Sequence, residues 1–336
     1  MQNILLNFPG FENNVVFNTK DFNGFNKPWK LLKKELLKIG FEFKNVDQNS
    51  LSNTAWVFFM DENSLKEDIK RKHKRNIYNE CINSGLKNKM ILFLWEGPSI
   101  CPNNYKKNIY NKFPIIFTWK DDLVDNKKFF KFHLPYPQKE KFLDTVNFTQ
   151  KKLLVNISIN KFSNFPNELY GERRKSIKFF EKELNNQFDL FGYRWNEPQT
   201  RKEKLFPFLT KKYKSYRGTI NQDKLKTLSK YKFVICYENV QKLNGYITEK
   251  IFDCFNAKTI PIYWGAENIS DYVDKKTFID RRLFKTNREL LDFLMKIDEK
   301  KYNEYLLAIE KFLNSEKYKL FLPQSFTDTI IKQIKK

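Results

Sequence analysis

Histidine is nearly absent from this chain: His73 and His133 are the only two among 336 residues, and neither lies in a motif. A histidine general base and a histidine-built metal centre are therefore poorly supported. No Asp-x-Asp pair occurs to hold a divalent ion. Neither GxxxxGK[ST] nor GxGxxG is present, so P-loop and dinucleotide readings lack their phosphate cradle. The four cysteines (Cys81, Cys101, Cys236, Cys254) form no CxxC pair, which suits a reduced chain without a disulfide framework. Ten glycines are too few for a flexible linker of any length. No apolar run reaches the eighteen or so residues of a membrane span. The opening MQNILLNFPGFENNVVF lacks a cationic start before a long apolar run, so no secretory leader is expected.

Acidic residues are also scarce, 39 against 62 lysines and arginines, for a net charge of +23. That excess favours anionic partners: nucleic acid, an acidic membrane surface or a nucleotide-sugar. Lysines dispersed over solvated faces account for much of it, so charge alone does not select among them. Apolar residues make up 41% and phenylalanine alone numbers 34, enough for two α/β domains with cores of their own.

Taken in order, residues 3–8 and 14–17 read as short strands and 29–39 as a helix stopped by Gly40. Residues 55–60 (AWVFFM) are a buried strand. Residues 64–85 read as one long basic helix carrying KRKHKR at 70–75, a solvated helix face or, less simply, a phosphate-binding run. Residues 90–95 (MILFLW) give the next buried strand, followed at once by Glu96-Gly97-Pro98. An acidic residue at the carboxyl end of a buried strand, held by Gly-Pro, is well placed for catalysis. One more strand follows at 113–119, then a Pro-containing exit at 132–137 and a polar stretch at 138–150 that marks a domain boundary. Residues 153–158 and 188–192 read as strands around a helix at 168–184 that carries Glu172-Arg173-Arg174-Lys175. A basic loop at 211–219 precedes a helix at 223–230. Beyond residue 265 come a strand at 277–280 and helices at 287–297 and 299–313.

The stretch that organises the chain is residues 231–265, YKFVICYENVQKLNGYITEKIFDCFNAKTIPIYWG. Residues 232–237 form a β-branched and aromatic run typical of a strand buried on both faces. Ile247, Ile251, Phe252 and Phe255 recur at helical spacing, with Glu249, Lys250 and Asp253 on the other face. Residues 259–264 are a second buried strand. Together they make a parallel βαβ unit whose loops open at the carboxyl end of the sheet, where α/β proteins bind ligands. Glu238 and Asn239 end the first strand, and Glu249-Lys250 occupy the first turn of the helix. A carboxylate can accept from both ribose hydroxyls and a lysine can meet a phosphate, beside the free N–H groups of a helix start. A lone Glu-Lys pair reads more simply as a solvated helix face; the ordered string around it separates the two readings.

YENV…GYITEKIFDCFNAKTIPIYWG closely resembles the donor-binding motif of the α1,3/α1,4-fucosyltransferases. In that family it runs Phe/Tyr-Glu-Asn, a short loop, Tyr-(Ile/Val)-Thr-Glu-Lys, then an apolar helix and a Pro-containing strand ending in glycine. FDLFG at 188–192 is similar to the family's Asp-x-(Phe/Tyr)-Gly segment, and Glu96-Gly97-Pro98 to its Glu-x-Pro segment. Gly97 departs from the serine that many relatives carry. The resemblance covers roughly residues 90–315 and is only topological before 90.

It implies an α/β fold of GT-B type, two Rossmann-like domains facing each other across a cleft. The expected division is 1–145 for an acceptor-side domain, 146–320 for a GDP-fucose-binding domain and 321–336 for a basic amphipathic tail. The implied activity is an inverting, metal-independent transfer of L-fucose from GDP-fucose to a Gal/GlcNAc-type acceptor, oligosaccharide or glycolipid, in α1,3 or α1,4 linkage, in surface polysaccharide or lipopolysaccharide glycosylation. No cofactor is implied. Glu96 is then the catalytic base. Arg174 and Lys250 neutralise the leaving diphosphate, with Arg173 the alternative to Arg174. Glu249 holds the ribose, and Asn239 and Tyr246 line the phosphate and sugar pocket. Arg217, Glu238 and Thr248 are further donor-binding candidates, Arg217 reading equally as part of a solvated loop. The expected location is cytoplasmic, with the tail resting on an anionic inner leaflet, and nucleic acid is not an expected partner. Two other readings stand beside this one: a transferase of the same fold using another nucleotide-sugar, and a basic protein that binds nucleic acid or acidic glycan.

Overall fold

Short runs of β-branched and aromatic residues, bounded by polar turns, build two parallel sheets. A computed structural model of the chain describes residues 1–18, 24–66, 75–136, 146–198, 201–220 and 224–335. The first sheet is made of β1 (Gln2–Asn7), β2 (Phe41–Asn45), β3 (Thr54–Met60), β4 (Met90–Leu94), β5 (Ile115–Thr118) and β6 (Phe129–Lys131), in the order β2-β1-β3-β4-β5-β6. The second is made of β7 (Lys152–Ile157), β8 (Phe188–Phe191), β9 (Tyr231–Tyr237), β10 (Ile260–Trp264) and β11 (Ile279–Asp280), in the order β11-β10-β9-β7-β8. Every pairing is parallel. All five residues of β4 are buried, as a strand covered on both faces requires. Two such α/β sheets in one chain make the GT-B class that the motif implied.

The two sheets belong to separate compact units. One gathers residues 1–138, 244–246 and 319–336; the other gathers 139–243 and 247–318. The boundary expected after residue 145 falls in a stretch mostly outside the described residues. In the second unit β9, the helix Glu249–Asn256 and β10 form the expected βαβ crossover, with Tyr237 beside Trp264 in the register.

Three expectations fail. Residues 14–17 are not a strand: Val15–Asn18 is a helical turn. Asn13 and Asn14 precede it with φ of 56° and 57°, a left-handed conformation that asparagine tolerates better than most residues, and Asn14 Oδ1 accepts the Asn45 N–H. Residues 64–85 are not one helix: a 3₁₀ turn spans Glu62–Leu65, and Asn76 starts a separate helix, Ile77–Asn83, by accepting the Asn79 N–H at 3.0 Å. Most of the KRKHKR run, with His73, lies outside the described residues. Residues 321–336 are not a separate tail, because Pro323–Ile334 is a helix docked on its own unit. Its Phe326, Ile330 and Ile334 are buried, and the Phe326 ring packs edge-on against Trp29, 5.3 Å between centroids. The apolar face expected on a lipid surface is used internally. Among the described residues no helix is long and apolar enough to cross a membrane.

Candidate functional site

In the second unit the site grows from the end of β9. Glu238, the next residue, has no solvent exposure. Its N–H donates to Trp264 O at 2.8 Å, extending the β9–β10 ladder by one step. Its carboxylate meets the start of the helix Glu249–Asn256. Oε1 accepts the Thr248 N–H at 2.9 Å, the Thr248 hydroxyl lies 3.0 and 2.8 Å from the two carboxylate oxygens, and Lys250 Nζ donates to Oε2 at 2.9 Å. Thr248 is also the helix N-cap. The approach depends on Gly265: a Cβ there would lie 2.4 Å from Glu238 Cγ and 2.6 Å from the Tyr263 hydroxyl. Only glycine leaves the carboxylate this room.

The charges around it are coupled. Burial works against a charged Lys250, but the carboxylates of Glu238 and Glu249 outweigh it and hold the ammonium above the ordinary lysine range. Burial likewise works against the Glu249 carboxylate, yet Lys250 and Lys224 keep it below the ordinary range, and its side chain reaches solvent. Lys224, from the helix Lys224–Leu228, pairs with buried Asp253 at 2.7 Å. On the polar face of this helix Lys250 and Asp253 are therefore partnered, while Glu249 reaches solvent.

Arg173, from the helix Tyr170–Leu184, is buried and donates from Nη2 to Tyr237 O (2.7 Å) and Glu238 O (3.0 Å), pinning the end of β9. Burial lowers its pKa, though an arginine stays charged in proteins. Arg173, Lys224 and Lys250 all line one open cavity, with Asn156 and Ser158 from the end of β7. Three cations at the carboxyl end of parallel strands suit an anionic ligand.

The other candidates lie differently. Arg174 donates to Lys161 O and stacks on Phe162, 3.8 Å from the ring centroid; Arg173, not Arg174, lines the cavity beside Lys250. Arg217 is bound to Asp189 at 2.6 Å, and Lys152 and Tyr231 share that carboxylate. Lys152 and Tyr231 begin β7 and β9, so Arg217 sits at the amino end of the sheet, away from the cavity. The expectation that it approaches a phosphate is corrected. Glu238 is a buried brace for Thr248 and Lys250, not an exposed ligand. Asn239 is half-buried, and its carbonyl accepts the Leu169 N–H. Tyr246 belongs with the first unit, its ring 4.7 Å from that of Trp119.

In the first unit Glu96 is half-buried beyond β4. Its backbone is fixed on both sides. Asp61 Oδ1 accepts the N–H groups of Trp95 (2.8 Å) and Glu96 (3.1 Å), while the Tyr105 hydroxyl donates to Glu96 O at 2.7 Å. Asn104, fully buried, donates to Asp61 Oδ1 and accepts the Glu62 N–H. Burial pushes the Asp61 carboxyl up to about 7, against the hydrogen bonds from Glu96 and Asn104. Gly97 and Tyr246 pack closely: a Cβ at Gly97 would fall 3.0 Å from Tyr246 Cζ. His133 is held down to about 3 by burial and by Lys131, so it is neutral at ordinary pH. Among the described residues no group of three or more His, Cys, Asp or Glu could hold a metal ion.

Sequence reasoning missed Lys224, Asp61 and Asn104. Asp61 carried a usable signal, since it follows β3 just as Glu96 follows the neighbouring strand β4.

Residues 166–321 match the sequence model of glycosyltransferase family 10 (fucosyltransferase), C-terminal part. An α-(1,3)-fucosyltransferase of Helicobacter pylori is 36% identical over 117 residues, 34% of this chain and 24% of that protein. An α-(1,4)-fucosyltransferase of Arabidopsis thaliana is 36% identical over 80 residues, 23% of this chain and 20% of that one. The chain thus spans only about a quarter of these relatives' length, or less. A crystal structure of an α1,3-fucosyltransferase with GDP superposes over 100% of this chain and 90% of its own, with a TM-score of 0.58 at 15% identity. An α-glucosyltransferase in complex with UDP and DNA superposes over 99% of both chains, with a TM-score of 0.57 at 12% identity. Both likenesses are of fold.

Proposed function

We propose that this chain, which resembles the α1,3/α1,4-fucosyltransferases and matches the C-terminal part of glycosyltransferase family 10 over residues 166–321, is an inverting fucosyltransferase. It moves L-fucose from GDP-β-L-fucose to a Gal/GlcNAc-type acceptor in α1,3 or α1,4 linkage. The observation that carries this reading is Lys250. Buried Glu238 holds its ammonium charged at a helix N-terminus, beside Arg173 and Lys224 on one cavity.

In this reading Lys250 and Arg173 face the diphosphate, with Arg174 contributing from the same helix. Glu249, exposed at the helix start, accepts from the ribose hydroxyls. Asn239 and Tyr246 line the phosphate and sugar pocket, and Glu238 and Thr248 act through Lys250. Glu96 is the base: the acceptor O–H gives it a proton, the freed oxygen bonds to the fucose anomeric carbon from the face opposite the diphosphate, and the carbon–oxygen bond to GDP breaks. GDP carries off the electron pair against the cations that receive it. Location in the cytoplasm or on the inner face of a membrane belongs to the same proposal.

The test is incubation of the full chain with GDP-fucose and a panel of Gal/GlcNAc acceptors, following GDP release and the anomeric configuration of the product. Acceptor-dependent release with inverted product is expected. The second reading, another nucleotide-sugar, draws on the equal fold likeness to a glucosyltransferase. Transfer from UDP-glucose but not from GDP-fucose would establish it in place of the first.

A further inference from the structure

Residues 201–214, between Arg173 and Lys224 in the sequence, read RKEKLFPFLTKKYK. A short helical turn, Arg201–Leu205, runs into a 3₁₀ turn, Pro207–Leu209. Leu205 and Phe208 are 74% and 81% exposed, and Phe206 and Leu209 are also open to solvent. The two phenylalanine rings pack edge-on against each other, 5.9 Å between centroids. No other five-residue stretch among the described residues exposes more than two large apolar side chains. Isolated cases are normal on a soluble surface; four within five residues are not.

The protrusion has a firm root. Tyr213 is buried, its ring edge-on to Trp195 at 5.4 Å, and its N–H donates to Asn196 Oδ1. Trp195 Nε1 in turn donates to Ser158 O at 2.6 Å. The tip is closed by its own turns, with Phe206 N–H on Lys202 O and Leu209 N–H on Phe206 O, both at 2.9 Å.

Charge selects the occupant. Arg201, Lys202 and Lys204 stand before the apolar tip and Lys211, Lys212 and Lys214 after it, all exposed, with Glu203 the one acidic residue of the segment. A protein interface core is depleted of lysine, and a second copy would bring an equally cationic patch against this one. An apolar tip ringed by lysines fits a phospholipid surface, where the side chains enter the headgroup–acyl boundary and the cations meet anionic headgroups. The geometry points to the Leu205–Leu209 tip as a docking element for an anionic membrane, in place of the terminal helix whose apolar face is buried.

The experiment is co-sedimentation of the full chain with phosphatidylcholine vesicles, with and without about a third phosphatidylglycerol. Wild type is expected to bind only the anionic vesicles. The charge-neutral triple variant Leu205→Ser, Phe206→Ser, Phe208→Ser is expected to lose about tenfold or more in partitioning with its melting temperature unchanged. Because all four native cysteines are buried, Phe208→Cys accepts an environment-sensitive fluorophore selectively. Its emission should shift blue on anionic vesicles and stay fixed on neutral ones. Wild-type binding that survives the triple substitution would overturn the proposal in favour of diffuse attraction to the +23 chain. So would an unshifted fluorophore, no binding to anionic vesicles, or a wild-type dimer that the triple variant turns monomeric.

Discussion

Asp61 holds a backbone that few residues accept, φ 57° and ψ 170°, and does so where its carboxylate can take two successive N–H groups of the chain leaving β4. That combination lies outside the left-handed helical well and is strained for any side chain but glycine. The Glu96 peptide is thus gripped from the N–H side by Asp61 and from the carbonyl side by Tyr105. A general base works from a fixed position within hydrogen-bond reach of its proton. Glu96→Gln should therefore lower kcat by about a hundredfold or more, while GDP still raises the melting temperature. Near-normal turnover would put the base elsewhere. Asp61 also makes a pH prediction. Its folded carboxyl titrates near 7 against an ordinary value of 3.8, because of burial. Between those pH values the folded protein keeps a proton that the unfolded chain has released, so stability falls as pH rises through this window. A rise from 3.8 to about 7 corresponds to a loss on the order of 4 kcal/mol across the window. Asp61→Asn removes the titration and keeps an oxygen for the N–H groups. Urea unfolding at pH 4.5 and 7.5 should show wild type losing stability across the window relative to this variant. Parallel behaviour of the two would refute the assignment.

The β9–helix–β10 crossover was legible in the sequence because each of its pieces carries a strong period. The run at 233–237 is apolar and aromatic throughout, and Ile247, Ile251 and Phe255 repeat every fourth residue. The parts that misled did so for local reasons. Residues 14–17 look β-branched and aromatic, but two left-handed asparagines turn the chain into a helical turn just before them. β2, FEFKN, escaped notice because it is short and only half-buried along most of its length. In the site, Thr-Glu-Lys was readable as a unit, but its division of labour was not. Glu238 looked like a ligand at a strand end, and only the fold shows it facing Thr248 and Lys250 without solvent. Lys224 lies 29 residues from Asp253, a distance at which no periodicity speaks. The element as a whole rests on Gly265. Gly265→Ala sets a methyl 2.4 Å from Glu238 Cγ, and overpacking of this kind costs about 1–3 kcal/mol. The displaced carboxylate would also release Lys250. Both a lower melting temperature and weaker GDP binding are expected; a variant with wild-type GDP affinity would separate Glu238 from the donor seat.

At the scale of the whole molecule, the chain does not use its last residues as an appendage. The helix Pro323–Ile334 returns to the unit that the N-terminus began, and the Tyr136 N–H donates to Phe321 O just before it. Its Phe326, Ile330 and Ile334 are each worth about 1.5–3 kcal/mol of burial, together a large part of the 5–15 kcal/mol that stabilises an ordinary domain. Deleting residues 323–336 should therefore collapse the cooperative melt seen by circular dichroism rather than merely change membrane binding. A truncated chain melting within a few degrees of wild type would show the helix to be dispensable. The net charge of +23 acts at the same scale, because it concentrates anionic ligands near the protein, but at the site it becomes specific. A leaving diphosphate needs positive charge that is already in place when the bond breaks. Arg173, Lys224 and Lys250 line one cavity, where in the proposed reaction Arg173 and Lys250 meet the diphosphate, and Glu238, Glu249 and Asp253 keep the two lysines charged. Transfer from GDP-fucose should accordingly keep most of its rate in EDTA, whereas Lys250→Ala should weaken GDP binding by about tenfold or more, the loss of one charged hydrogen bond. Complete loss of activity on chelation, restored by a divalent ion, would show that these side chains do not carry the leaving group alone.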